Sequence, residues 1–174
     1  MDVMPTRLRC WALVLSLAAT GCISGFEQSL GPVESSFIEP GLLGSWACSR
    51  STDDAAVDLD FVDFDGIQYY LRAEDHGGAP DSLRGIATRL GDATFLSLRP
   101  LAPKAEEEWT VLQYSIEETG RLSLQYVNPQ PFEDVLSDPQ AVRDRLLRRL
   151  DDPEVVSDMF SCSRPVFSPA EAQP

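Results

Sequence analysis

The sequence predicts a mainly β domain, an antiparallel meander of about seven strands forming a small barrel or a two-layer sandwich, with two C-terminal α-helices. Three observations predict it. From Leu42 to Tyr126 the apolar residues recur with a period of two rather than 3.6. The apolar runs are separated by short turns rich in Gly and Asp. From Asp138 the period becomes that of a helix. A meander has to curl to bury its apolar face, which leaves a barrel or a sandwich as the solutions.

Leu42 to Cys48 is a short apolar strand containing Trp46. Val57, Leu59 and Phe61 alternate with Asp58 and Asp60, and then Val62 and Phe64 take over the apolar positions, a change of phase that predicts a β-bulge. Asp65-Gly66 is a two-residue hairpin signal, and Ile67, Tyr69 and Leu71 continue on the return strand. His76 to Asp81 reads as a loop of Gly and Pro. Leu83 to Leu90 turns at Gly91-Asp92 and returns as Thr94 to Leu98, with Ile86, Thr88 and Leu90 expected to face Leu96 and Leu98. Trp109 to Ile116 turns at Glu118-Thr119-Gly120 and returns through Leu122, Leu124 and Tyr126.

Asp138-Pro139 then places a capping side chain before a first-turn proline. Ala141, Val142, Leu146 and Leu150 form an apolar stripe, with Arg143, Arg145, Arg148 and Arg149 off it. Asp152-Pro153 repeats the device and predicts a shorter helix through Val155, Val156, Met159 and Phe160.

The ends of the chain differ from the middle. Arg7 and Arg9 precede a nearly uncharged run, Cys10 to Ala19, and small residues lead to Gly21-Cys22. The run is shorter than the roughly 20 apolar residues that span a bilayer, so residues 1–21 read as a signal peptide. Residues 22–40 have no sustained period and read as a flexible tether. The domain is expected over 41–164, with a disordered tail over 165–174.

Leu17-Ala18-Ala19-Thr20-Gly21-Cys22 resembles the bacterial lipoprotein signal. The resemblance implies that Cys22 is acylated and becomes the new N-terminus; in an ordinary secretory signal it would be free or disulfide-bonded. Two or three acyl chains hold a protein firmly, where one gives only reversible attachment. Ile23 in place of an aspartate implies, by the same resemblance, the outer rather than the inner membrane.

Export bears on the cysteines. Cys10 leaves with the leader and Cys22 takes lipid, so Cys48 and Cys162 remain as a pair that an oxidising compartment would bond. A metal site lacks partners, because the only histidine is His76, and no cofactor signature is present. The whole chain carries −14; the leader holds Asp2, Arg7 and Arg9, one net positive charge, so the remainder is one unit more acidic. Such an excess argues against nucleic acid, whose binding is driven by cations displacing phosphate counterions.

Gly44-Ser45-Trp46 is similar to the Gly-x-Trp entry strand of lipocalin-type barrels. That resemblance implies an arginine packed on the tryptophan near the barrel end, a position Arg164 can fill, and an apolar ligand inside. Trp46, Tyr69, Leu98, Tyr114 and Tyr126 are then the candidate wall residues.

Catalytic patterns are weak by comparison. Asp58, Asp60, Asp63 and Asp65 fail as a calcium loop, because Phe61 and Arg72 stand where an EF-hand needs acids. There is no Gly-x-Ser-x-Gly elbow and no glycine-rich loop leading into a helix. Glu106-Glu107-Glu108 reads as a solvated loop. The expectation is a noncatalytic binding or interaction module anchored in the envelope, taking an apolar small molecule or an envelope protein. Its alternatives are a structural partner of an envelope complex and a carboxylate-based hydrolase of envelope polymers.

Overall fold

The computed structural model describes residues 25–75, 78–101 and 108–165. The leader, Cys22, His76, Glu106, Glu107 and nearly all of the C-terminal tail lie outside the described residues, and with them the expectations of cleavage, acylation and tail disorder. Among the described residues eight strands run in sequence order around a closed antiparallel barrel. They are β1 (Gly44–Arg50), β2 (Ala56–Asp63), β3 (Gln68–Asp75), β4 (Asp81–Leu90), β5 (Ala93–Pro100), β6 (Thr110–Ile116), β7 (Leu122–Val127) and β8 (Val156–Ser163). The mainly β meander expected from the period of two is therefore the observed fold, in its barrel form. Between β7 and β8 lie a 3₁₀ helix, Gln130–Val135, and one helix, α1 (Pro139–Leu147). The Asp138 carboxylate accepts the N–H groups of Gln140 (3.0 Å) and Ala141 (3.2 Å), so the predicted cap holds.

The second predicted helix is instead β8. Seven strands in a meander leave β1 and β7 with rows of unpaired N–H and C=O groups, and β8 satisfies both by pairing Cys48 with Cys162 on one side and Leu122 with Cys162 on the other. Asp152 still caps, but it caps a turn: its carboxylate accepts the Glu154 N–H at 2.9 Å. The need to close the sheet outweighs a capping signal worth about 1 kcal/mol. The bulge predicted at Val62 is also absent, because β2 and β3 pair without interruption from Val57↔Asp75 to Asp63↔Tyr69. Val62 and Phe64 are exposed at that end of the barrel, and the irregularity sits between Leu124 and Gln125 where β7 meets β8.

The apolar residues form two cores. Inside the barrel, Trp46, Phe61, Tyr69, Leu96, Leu98, Leu122 and Leu124 pack as one cluster with the buried cysteines. Outside it, Ile86, Phe95, Val111 and Val127 pack beneath Phe132, Val142 and Leu146. This double coverage reverses the facing expected for β4. Gly85 and Ala87 oppose Leu98 and Leu96 in the interior pairs, whereas Ile86 and Thr88 oppose Ser97 and Phe95. Both faces of these strands are apolar, so a period of two cannot say which side is inside.

The segment expected to be a flexible tether packs against the barrel from Gly25 onward. Phe26 and Leu30 are each 1% exposed, and Phe26 exchanges backbone hydrogen bonds with Trp109 at 2.9 and 2.8 Å. Ser97 Oγ accepts the Leu30 N–H, and Ser36 Oγ accepts the Ala87 N–H. Burying Phe26 and Leu30 on the outer core outweighs the disorder that Ser, Gly and Pro would otherwise favour, since each large apolar side chain contributes about 1.5–3 kcal/mol.

Candidate functional site

All five expected wall residues lie in the interior cluster, supplied by β1 (Trp46), β3 (Tyr69), β5 (Leu98), β6 (Tyr114) and β7 (Tyr126). The first four are buried and Tyr126 is half-buried. Within that cluster Tyr69 meets Phe61 edge-on at 6.3 Å between ring centroids, and its hydroxyl accepts the Glu39 N–H at 2.5 Å. Burial raises the hydroxyl pKa of Tyr69, Tyr114 and Tyr126 above the ordinary value, so all three are neutral phenols at physiological pH. The Tyr114 hydroxyl alone among them is buried with no hydrogen-bond partner.

One end of the interior is closed by Trp46 and Arg164. The guanidinium carbon lies 3.8 Å from the indole centroid, and its nitrogens donate to Gly41 O (2.7 Å) and Ser45 O (3.3 Å). The indole N–H donates to Leu42 O at 2.8 Å. Gly44 has a φ of +97°, a conformation that favours glycine, and a Cβ there would stand 2.9 Å from Arg164 Nη1 and displace the guanidinium. The arginine expected from the lipocalin resemblance therefore stacks where it was expected.

A recess lies outside the barrel. A groove of about 820 Å³ lies between the outer face of β5–β8 and the end of α1. Leu90, Leu147 and Leu150 supply its apolar wall, and Asp92, Asp151 and Asp158 its carboxylates. Gln113 and Gln125, directly opposed across β6 and β7, supply the floor. Gln125 Nε2 donates to Asp158 Oδ1 at 2.9 Å, while Gln113 Oε1 is buried without a donor. The volume falls in the 300–1,000 Å³ range of small-molecule sites.

Sequence reasoning missed this groove. Its one readable signal was glutamine at the centre of two adjacent strands of otherwise apolar alternation, but the wall comes from α1, whose docking no local pattern encodes. The three aspartates are spread along the groove: among the described residues no three His, Cys, Asp or Glu side chains converge as a metal ion requires. No described helix is long and apolar enough to cross a membrane, which says nothing of spanning by strands. The expected disulfide joins Cys48 to Cys162 across the β1–β8 seam. Of the arginines expected on one helix, Arg145 lies on α1 and pairs with Asp134, whereas Arg149 lies in the turn after it and pairs with Asp152 at 2.6 Å. No protein-family model matches the chain, and neither a curated protein nor a solved structure does so.

Proposed function

We propose that this chain is a lipid-anchored envelope protein whose barrel is a noncatalytic binding module. The leader and Cys22 support the anchor, and the Trp46–Arg164 closure supports a lipocalin-like ancestry for the barrel. The observation that carries binding is the groove of about 820 Å³ lined by Leu90, Leu147 and Leu150 and by the carboxylates of Asp92, Asp151 and Asp158. Its chemistry suits a small molecule with a positive charge for Asp92, Asp151 or Asp158 and an apolar edge for Leu147. An apolar molecule behind Trp46 is the second reading, supported by the interior cluster that holds all five expected wall residues.

Native mass spectrometry of the protein purified from its own host tests the reading. A stoichiometric small molecule that is retained by the wild type and lost on Gln113→Leu or Asp158→Asn supports it. Turnover of an envelope polymer, abolished by the aspartate variants, would replace it with the carboxylate hydrolase. The intact mass of the mature N-terminus tests the anchor separately: acylated Cys22 supports it, and an unmodified thiol removes it. One observation favours the assembly reading instead, the exposed Val62, Phe64 and Ile67 at the β2–β3 hairpin. Crosslinking from that hairpin in intact cells, with no small molecule retained, would move the function there.

A further inference from the structure

Arg84 and Arg99 face each other directly across β4 and β5. Like charges in that register destabilise a sheet, so the pair needs a reason. Both guanidinium groups lie over the Trp109 ring, with carbon-to-centroid distances of 5.6 and 4.7 Å. Both Nε atoms are buried without an acceptor, and neither residue has a carboxylate in ion-pairing range among the described residues. Arg50, Arg72, Arg145 and Arg149 take aspartate or glutamate partners, and although other arginines among the described residues also lack one, only Arg84 and Arg99 oppose each other directly over a shared ring. Burial, with Arg84's charge added, pulls the Arg99 pKa below its usual value, so charge is being held here against a cost.

The position of this pair is as telling as its composition. Phe26 is pinned to Trp109 by two backbone hydrogen bonds, and Gly25 lies so close that a Cβ would be 2.8 Å from Trp109 O and from Glu108 Cβ. Only three residue steps separate Gly25 from Cys22, a reach of at most about 11 Å even when fully extended. Leu101, two residues beyond Arg99, is exposed on the same stretch of barrel.

We infer that Arg84 and Arg99, stacked on Trp109, form a phosphate-binding site that rests on the headgroups of the membrane. The membrane half of this inference depends on the proposed acylation of Cys22; the phosphate half does not. Two guanidinium groups on directly opposed residues offer the forked donors that fit phosphate oxygens, and an anion bound by both relieves their mutual repulsion. Leu101 would enter the interfacial layer beside them. The barrel would then sit directly on the bilayer, with no spacer between anchor and domain.

The test uses the full chain in nonionic detergent, which treats the leader or lipid alike in all variants. Dihexanoyl phosphatidylglycerol and inorganic phosphate are titrated separately and followed by phosphorus NMR. The short-chain lipid is expected to bind, and Arg84→Gln with Arg99→Gln to weaken it about tenfold or more. Arg121→Gln with Arg148→Gln, which removes equal charge elsewhere, should change it less than about twofold. Arg84→Lys with Arg99→Lys keeps the charge and the fold but loses the fork, and should fall between. Inorganic phosphate binding as tightly as the lipid would uphold the phosphate chemistry and overturn the membrane assignment. Equal binding by wild type and the glutamine variant would overturn the site. So would a glutamine variant that melts early yet binds normally, since the arginines would then serve stability alone.

Discussion

Reduction of the Cys48–Cys162 disulfide frees the seam where the last strand of the barrel meets the first. That seam is short: β1 and β8 share four registered pairs, Ala47↔Ser163 to Arg50↔Phe160, where β4 and β5 share eight. The bonded cysteines are 114 residues apart, so the crosslink closes a loop that holds most of the domain. In the chain-entropy treatment a loop of that length restricts the unfolded state by about 4.8 kcal/mol, which is the upper bound for its contribution. Reduction should therefore lower the thermal midpoint by on the order of 15 °C. The assay is urea unfolding with and without dithiothreitol, read by tryptophan fluorescence. Cys48→Ala with Cys162→Ala also removes two buried sulfur atoms and should cost about 1 kcal/mol more for each. Amide exchange should rise in β1 and β8 before it rises in β4 and β5. If the oxidised and reduced proteins agree to within about 0.5 kcal/mol, the noncovalent ladder alone closes the barrel and the argument fails.

Three further outcomes are expected. Arg164→Ala removes the stack on Trp46 and two hydrogen bonds to carbonyls, and should cost about 1–2 kcal/mol with a red shift in tryptophan emission; an unchanged spectrum would mean that the arginine does not shield the indole. Phe26→Ala should cost about 3–5 kcal/mol, as for a core aromatic, measured by denaturant titration; a negligible change would return residues 25–40 to the role of a loose tether. Tyr69, Tyr114 and Tyr126 ionise late because burial penalises phenolate, so the unfolded chain releases protons that the folded one keeps. Their stabilisation is complete below the free phenol pKa of 10.0 and declines as pH rises from there through the folded values. Near-ultraviolet absorbance should then show Tyr69, Tyr114 and Tyr126 ionising with unfolding rather than ahead of it; their ionisation in the folded protein would contradict their burial.

Among site residues, the sequence made some legible and hid others for a definable reason. Trp46, Cys48, Cys162 and Arg164 were visible because each is chemically distinctive, and the structure brings them together as two pairs. Tyr69, Leu98, Tyr114 and Tyr126 were visible as apolar positions of alternating strands. Gln113, Asp158, Arg84 and Arg99 were not, because glutamine, aspartate and arginine on an outward strand position look like ordinary solvated surface. They become distinctive only beside α1 or Trp109.

By itself the sequence determined seven strands, their turns, the capped start of α1 and the class of the fold. These are local properties: a period of two and a turn residue act over a few neighbouring positions and need no distant partner. Tertiary structure alone decided that residues 156–163 pair as a strand, that Ile86 points outward while Ala87 points inward, and that Phe26 is buried. Each of those depends on an open sheet edge or an uncovered apolar face contributed by chain far away in sequence. Burying that face and pairing that edge gain more free energy than local preference loses.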